Sequence, residues 1–194
     1  MNVIIKFQNR KLHSFGAFFY IKDMKKIILL LSLLIIGCNN TTGNSNMSAE
    51  EYLDRGMAKG ELEDDYGAIE DYTKSIEIDP NNADAYHKRG IPKIALKDYK
   101  GAISYYTLAI KRDSTSETAY YVRGNAKQDL KDYYGSIEDH TKAIEIDPNF
   151  AAAYVQRGFS KVMLEDLKSA CIDWKKATNL GHTTAAEWVK EYCN

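Results

Sequence analysis

The chain has 194 residues, 44% of them hydrophobic, and carries 26 Lys/Arg against 27 Asp/Glu. That hydrophobic content excludes global disorder, and the length suits one ordinary domain. Acidic and basic side chains are interspersed rather than clustered, which excludes a nucleic-acid binder driven by a basic patch.

The N-terminal segment does not read as part of a fold. Lys25-Lys26 is basic, Ile27 to Ile36 is apolar but for Ser32, and Gly37-Cys38 follows. About ten apolar residues are too few to span a bilayer, which needs roughly 20. They fit the hydrophobic region of a secretory signal. Met24 to Cys38 resembles a bacterial lipoprotein signal peptide, which implies that residues 24–37 are the signal and that Cys38 receives lipid and becomes the mature N-terminus. Ile36 departs from the small residue often found two places before such a cysteine; the competing reading is a buried helix with an incidental cysteine. Met24 reads as the translation start, leaving 1–23 as an upstream extension or an unusually long basic leader. Removing residues 1–37 takes away six Lys/Arg and one Asp, leaving 20 basic and 26 acidic side chains and a formal charge near −6. Asn39 to Met47 is polar and aperiodic, so 38–48 is expected to be the lipidated cysteine and a flexible tether.

From residue 49 the chain repeats. Arg-Gly recurs at Arg55-Gly56, Arg89-Gly90, Arg123-Gly124 and Arg157-Gly158, each 34 residues after the last. A tyrosine precedes each arginine by three (Tyr52, Tyr86, Tyr120, Tyr154), a small residue follows each glycine by twelve (Ala68, Ala102, Ser136, Ala170), and a ring comes four later (Tyr72, Tyr106, His140, Trp174). In the first copy Ser48 and Glu51 have the spacing of a capping box. Tyr52, Gly56 and Lys59 form one helical stripe. After a break near Glu63-Asp64-Asp65, a second stripe runs through Ala68, Ile69, Tyr72 and Ser75-Ile76 until Asp79-Pro80-Asn81 ends it. Each unit is therefore a helix–turn–helix, and the whole an all-α solenoid. Glycine inside a helix costs roughly 1 kcal/mol relative to alanine, so its return at one register implies a packing need. Gly56, Gly90, Gly124 and Gly158 are expected to face Ala68 and its equivalents.

The array resembles tetratricopeptide repeats (TPRs) over residues 49–184: Tyr52-x-x-Arg55-Gly56, Ala68, Tyr72 and Pro80 follow that family's pattern, which recurs from Tyr86 and from Tyr120. The resemblance implies a right-handed α-solenoid of about four units, 49–82, 83–116, 117–150 and 151–184. Several residues depart from the pattern. Arginine replaces the usual leucine before the glycine, Lys59, Lys93, Lys127 and Lys161 replace a usual tyrosine, and Ser114 stands where the second unit should have proline. Pro92 lies inside a first helix and should kink it. The fourth unit ends in Leu180-Gly181-His182, a glycine C-cap that resembles Sel1-like repeats. Thr184 and Glu187 repeat the capping-box spacing, Trp188 falls in register with the tyrosines, and residues 185–194 read as a capping helix over the last apolar face.

No catalytic constellation emerges. The four histidines lack a metal-ligand spacing, and there is neither a glycine-rich phosphate loop nor a GxSxG. His140 takes the ring place of its unit and reads as packed core, so no enzyme, metal or cofactor is expected. Arg55, Arg89, Arg123 and Arg157 read as structural, paired with Asp71, Asp139 and Asp173, although the second unit has Tyr105 there. The competing reading is an anion-binding ladder. In this family the first helices line the concave surface, which by register places Leu53, Met57, His87, Ile91, Ile94, Tyr121, Asn125, Gln128, Val155, Phe159 and Val162 in the groove, with some apolar ones core instead. Some members hold a peptide carboxylate with a lysine–asparagine clamp; Leu53 and Met57 occupy those places, so no clamp is evident. Cys171 and Cys193 are candidates for a disulfide in an oxidising compartment, although Cys171 suits a buried hydrophobe equally well. The expected function is a lipid-anchored scaffold of the bacterial cell envelope that binds a protein or peptide and no nucleic acid. The alternative is an envelope enzyme or small-molecule binder with a cryptic site.

Overall fold

The computed structural model describes residues 47–193, so the signal segment, Cys38 and most of the tether lie outside the described residues. Side-chain caps set where the helices begin. Ser48 and Glu51 form a capping box, the Glu51 N–H donating to Ser48 Oγ at 3.2 Å and the Ser48 N–H to Glu51 Oε2 at 2.7 Å. Helix α1 (Ala49–Glu61) follows, then α2 (Asp65–Ile78), α3 (Ala83–Ala95), α4 (Tyr99–Arg112), α5 (Glu117–Asp129), α6 (Tyr133–Ile146), α7 (Ala151–Met163), α8 (Leu167–Asn179) and α9 (Thr183–Tyr192). No strand occurs among the described residues, and each helix packs on the next along the chain, an all-α solenoid. Among the described residues no helix is long and apolar enough to cross a membrane.

The turn inside each unit passes through one left-handed residue, Glu63, Lys97, Lys131 or Glu165, with φ between 58° and 65°. The residue that follows it is the helix cap: Asp64, Asp98, Asp132 and Asp166 cap the second helices, accepting from the N–H of Gly67, Gly101, Gly135 and Ser169 at 2.9–3.0 Å. Helix α3 carries Pro92 in its last turn and a half and still runs on to Ala95. At the C-terminal end Gly181 adopts φ 91°, and α9 starts two residues earlier than the 34-residue count places it. Its cap is His182, which accepts from the Ala185 N–H at 3.2 Å; Thr184 and Glu187 make no capping box, because the short glycine turn has already begun the helix. Cys171 on α8 and Cys193 after α9 are joined by a disulfide, Cα–Cα 5.6 Å, which closes the last helix onto the array.

The nearest neighbours of the first-helix glycines are the rings of the second helices. A Cβ on Gly56 would fall 2.6 Å from Tyr72, on Gly90 2.5 Å from Tyr106, on Gly124 2.8 Å from His140 and on Gly158 2.5 Å from Trp174. Ala68, Ala102 and Ala170 are fully buried beside these contacts.

The arginine row is held by carboxylates. Arg55 Nε and Nη2 donate to Asp71 at 2.8 and 2.6 Å, Arg123 to Asp139 at 2.8 and 2.6 Å, and Arg157 to Asp173 at 2.9 and 2.6 Å. Lys59, Lys127 and Lys161 complete each site at 2.9, 2.9 and 2.7 Å from the same aspartate. Nη1 of Arg123 and of Arg157 reaches back to the preceding unit, onto Thr107 and Thr141 at 3.0 and 3.1 Å. Burial alone would push the Asp71 carboxyl up, but hydrogen bonds from Arg55 and Lys59 overcome it and hold it below its ordinary value. In the second unit Arg89 lies over the Tyr105 ring at 4.4 Å, and Lys93 turns to Asp98 at 3.0 Å instead.

This difference between units is measurable. Arg123→Ala leaves the buried Asp139 carboxylate with lysine alone and is expected to cost about 3 kcal/mol. Arg89→Ala removes only a ring contact and a packed stem, about 1 kcal/mol. Denaturant unfolding followed by circular dichroism checks the order; equal costs would show that the carboxylates carry no special share.

Candidate functional site

Along the first helices the structure has open pockets, whose lining differs from the residues expected in a groove. Leu53 and Val155 are buried, 8% and 5% exposed, and belong to the core clusters rather than the groove. They face inward because their helix position leans toward the neighbouring unit. Met57 is half-buried against the Leu53 cluster, and Tyr121 packs on Phe150 at 4.8 Å and on His140 at 5.6 Å between ring centroids. His87 stacks on Tyr106 at 5.5 Å and lines a separate cleft with Asp84, Lys88 and Ser116. Ile91 and Phe159 remain open, 48% and 41% exposed.

Each seam between consecutive first helices is built from the same helix positions. At the seam of α3 and α5, Ile91, Ile94, Tyr106 and Val122 enclose an open pocket with Asn125 and Asp129 at its margin, about 390 Å³. At the seam of α7 and α9, Phe159, Val162, Trp174 and Trp188, joined by Leu167 and Tyr192, enclose a second pocket of about 460 Å³. Phe159, Val162 and Trp174 occupy the places of Ile91, Ile94 and Tyr106 exactly two repeats on in register. Trp188 is the sixth residue of α9, as Val122 is of α5, because α9 starts early. The sequence count had set it with the tyrosines instead.

The seam between them is filled with polar groups. The matching places are held by Asn125, Gln128, His140 and Gln156. His140 Nε2 is 3.0 Å from Asn125 Oδ1, Ser136 Oγ is 3.3 Å from His140 Nδ1 and 2.9 Å from Ser160 Oγ, and Gln128 Oε1 is 3.0 Å from Ser160 Oγ. The Gln128 amide donates to Gln156 Oε1 at 3.4 Å. Asn125 and Gln128, placed in the groove from sequence, therefore also anchor the core. Sequence reasoning missed Val122, Trp174, Trp188 and Tyr192; their signal was the ring place and the sixth residue of each first helix.

His140 is fully buried, and that burial lowers its imidazole to about 4. A histidine held neutral in the fold takes up its proton only when the chain unfolds. Between about pH 6.5 and 4 the unfolded state binds the extra proton, so stability falls with pH by roughly 1.4 kcal/mol per unit. His87, also lowered by burial, adds a slope of the same sign. His140→Tyr, the ring used in the first two units, is expected to flatten this acid slope but not abolish it. An unchanged slope in unfolding measured across that range would remove His140 as its source.

Comparison with known proteins agrees with this architecture. A family model described as TPR repeat matches residues 54–91, and one described as tetratricopeptide repeat matches 83–116 and 117–150. Together they span half of the chain. A crystal structure of MamA is 25% identical, with 71% of this chain and 81% of that one covered and a TM-score of 0.67. MamA, residue 41 to the end, from Desulfovibrio magneticus RS-1 is 26% identical over 69% and 75%, TM-score 0.65. The first TPR domain of Spaghetti (RPAP3), bound to the HSP90 peptide SRMEEVD, shares the fold at 24% identity over 61% and 94%, TM-score 0.60. A search of curated proteins finds no significant sequence match. The chain belongs to the tetratricopeptide-repeat family.

Proposed function

We propose that the chain is a lipid-anchored scaffold of the bacterial cell envelope that binds a protein or peptide partner in the groove along its first helices. The observation that carries this reading is the pair of open apolar pockets, each with a large exposed side chain, Ile91 or Phe159, at its mouth. Exposed apolar anchors on a preformed solenoid surface are where binding energy concentrates. Several of the titratable groups of the repeats are engaged in packing. The first, third and fourth arginines are tied to aspartates, and His140 is locked in a buried network. These features favour a scaffold over the alternative of an envelope enzyme or small-molecule binder. The final unit we read as Sel1-like, a reading supported by the left-handed Gly181 turn that replaces proline.

A TPR domain of this fold carries the acidic peptide SRMEEVD. Here the half-buried Met57 and the buried Leu53 stand where a lysine–asparagine clamp would sit, so an acidic C-terminus is not the partner we expect. The envelope and the lipid anchor rest on Lys25-Lys26, the Ile27–Ile36 run and Gly37-Cys38. The disulfide between Cys171 and Cys193 supports an oxidising compartment.

Two experiments test the parts separately. Phe159→Ala is expected to change stability by less than about 0.5 kcal/mol while weakening capture of the partner from envelope extract roughly tenfold. Capture that is indifferent to this substitution would move the site. Cys38→Ser is expected to yield an uncleaved or soluble form; unchanged size and unchanged membrane partition would sink the anchor.

A further inference from the structure

The two apolar pockets are equivalent in register and separated by one polar seam. Ile91, Ile94 and Tyr106 in one correspond to Phe159, Val162 and Trp174 in the other. Between them, Asn125, Gln128 and Gln156 present amides where the apolar seams present hydrocarbon. A partner lying along the groove must therefore place an apolar side chain at each end and a polar stretch in the middle.

Consecutive first helices touch at only a few positions and stand at least as far apart as the 8–10 Å of packed helices, so seams two repeats apart lie on the order of 20 Å from one another or slightly more. An extended strand rises about 3.3 Å per residue and covers that distance in about six residues. An extended backbone also offers free N–H and C=O groups to the spare hydrogen-bonding capacity of Gln128 and Gln156, whereas a helix has used its own. The charge at the site narrows the partner further. Asp129 is the single charged residue lining either pocket; it is exposed, and its carboxylate makes no hydrogen bond or ion pair among the described residues. Neither pocket is lined by lysine or arginine.

Resting on the groove reading above, we infer that the partner is an extended protein segment with two apolar side chains about six residues apart and a lysine or arginine beside the one that enters the Ile91–Val122 pocket. The Asp129 carboxylate meets that cation, and the Trp174–Trp188 pocket takes the second anchor.

The chain supplies its own reporter, because both of its tryptophans line the second pocket. Synthetic peptides free of tryptophan, with two leucine anchors at i and i+6, a polar spacer and a lysine next to the first anchor, would be titrated into the full chain in detergent. Tryptophan fluorescence is expected to respond, and these peptides to bind at least about tenfold more tightly than single-anchor or i, i+3 versions. Ile91→Ser should erase the advantage of the second anchor without unfolding the chain, since Ile91 is 48% exposed. Asp129→Asn should erase the preference for lysine over glutamate. Affinity independent of anchor spacing, a preference for the glutamate peptide, or no fluorescence response would each overturn the inference. If partner capture still depends on Phe159 in that case, the groove reading stands alone; if it does not, both fall.

Discussion

In each unit a ring from the second helix lies where the Cβ of the first-helix glycine would be, within 2.8 Å in all four. The two helices reach their packing distance because that residue has no side chain, and the ring in turn becomes the wall between one first helix and the next. One contact thereby sets both the internal geometry of a unit and the character of the seam it offers. Tyr106 and Trp174 leave apolar seams that open as pockets, whereas His140 draws Ser136, Ser160, Asn125 and Gln128 into a polar one. Changing one ring in the sequence changes what the groove can hold.

The buried aspartates add a second constraint. Asp71, Asp139 and Asp173 are 1–3% exposed, each flanked by an arginine and a lysine of its own unit. A helix rotated or shifted by one residue would leave such a carboxylate buried without its cations, which is far costlier than the pair's net stabilisation. The sites therefore act on register. The second unit shows the same logic by exception: with Tyr105 in the aspartate's place, the arginine lies on the ring and the lysine leaves for Asp98.

Much of the fold was legible because it depends on periodicity. The 34-residue return of Arg-Gly, the stripes at helical spacing and the Ser48–Glu51 box appear in the helices and cap where the sequence places them. The aspartate partners of the arginines were legible too, since Asp71, Asp139 and Asp173 share one offset. The groove was less so. Leu53 and Ile91 stand only about 40° apart around a helix of 3.6 residues per turn once superposed, yet one is core and the other is open. Which side of that small angle faces a neighbour is decided by the tilt between units, and tilt leaves no mark in the residue pattern. The start of α9 was misplaced for a simpler reason: a glycine turn takes fewer residues than the Asp-Pro-Asn turn it replaces.

The three buried polar atoms that lack a hydrogen-bond partner among the described residues are Ser75 Oγ, His87 Nε2 and Arg89 Nε, all on α2 and α3. At the place of Ser75 the later units have Ala109, Ala143 and Ala177, and their arginines have aspartates or threonines to bond, except Arg89's own unit. The opposite end is closed by the disulfide and by Trp174 on Trp188 at 5.1 Å. In an array whose stability is a sum of units and nearest-neighbour interfaces, cooperativity breaks at its weakest junction. Among the described residues the unmet polar atoms gather at one end and the covalent closure at the other, so amide hydrogens of α1 to α3 are expected to exchange through openings that leave α5 to α9 folded.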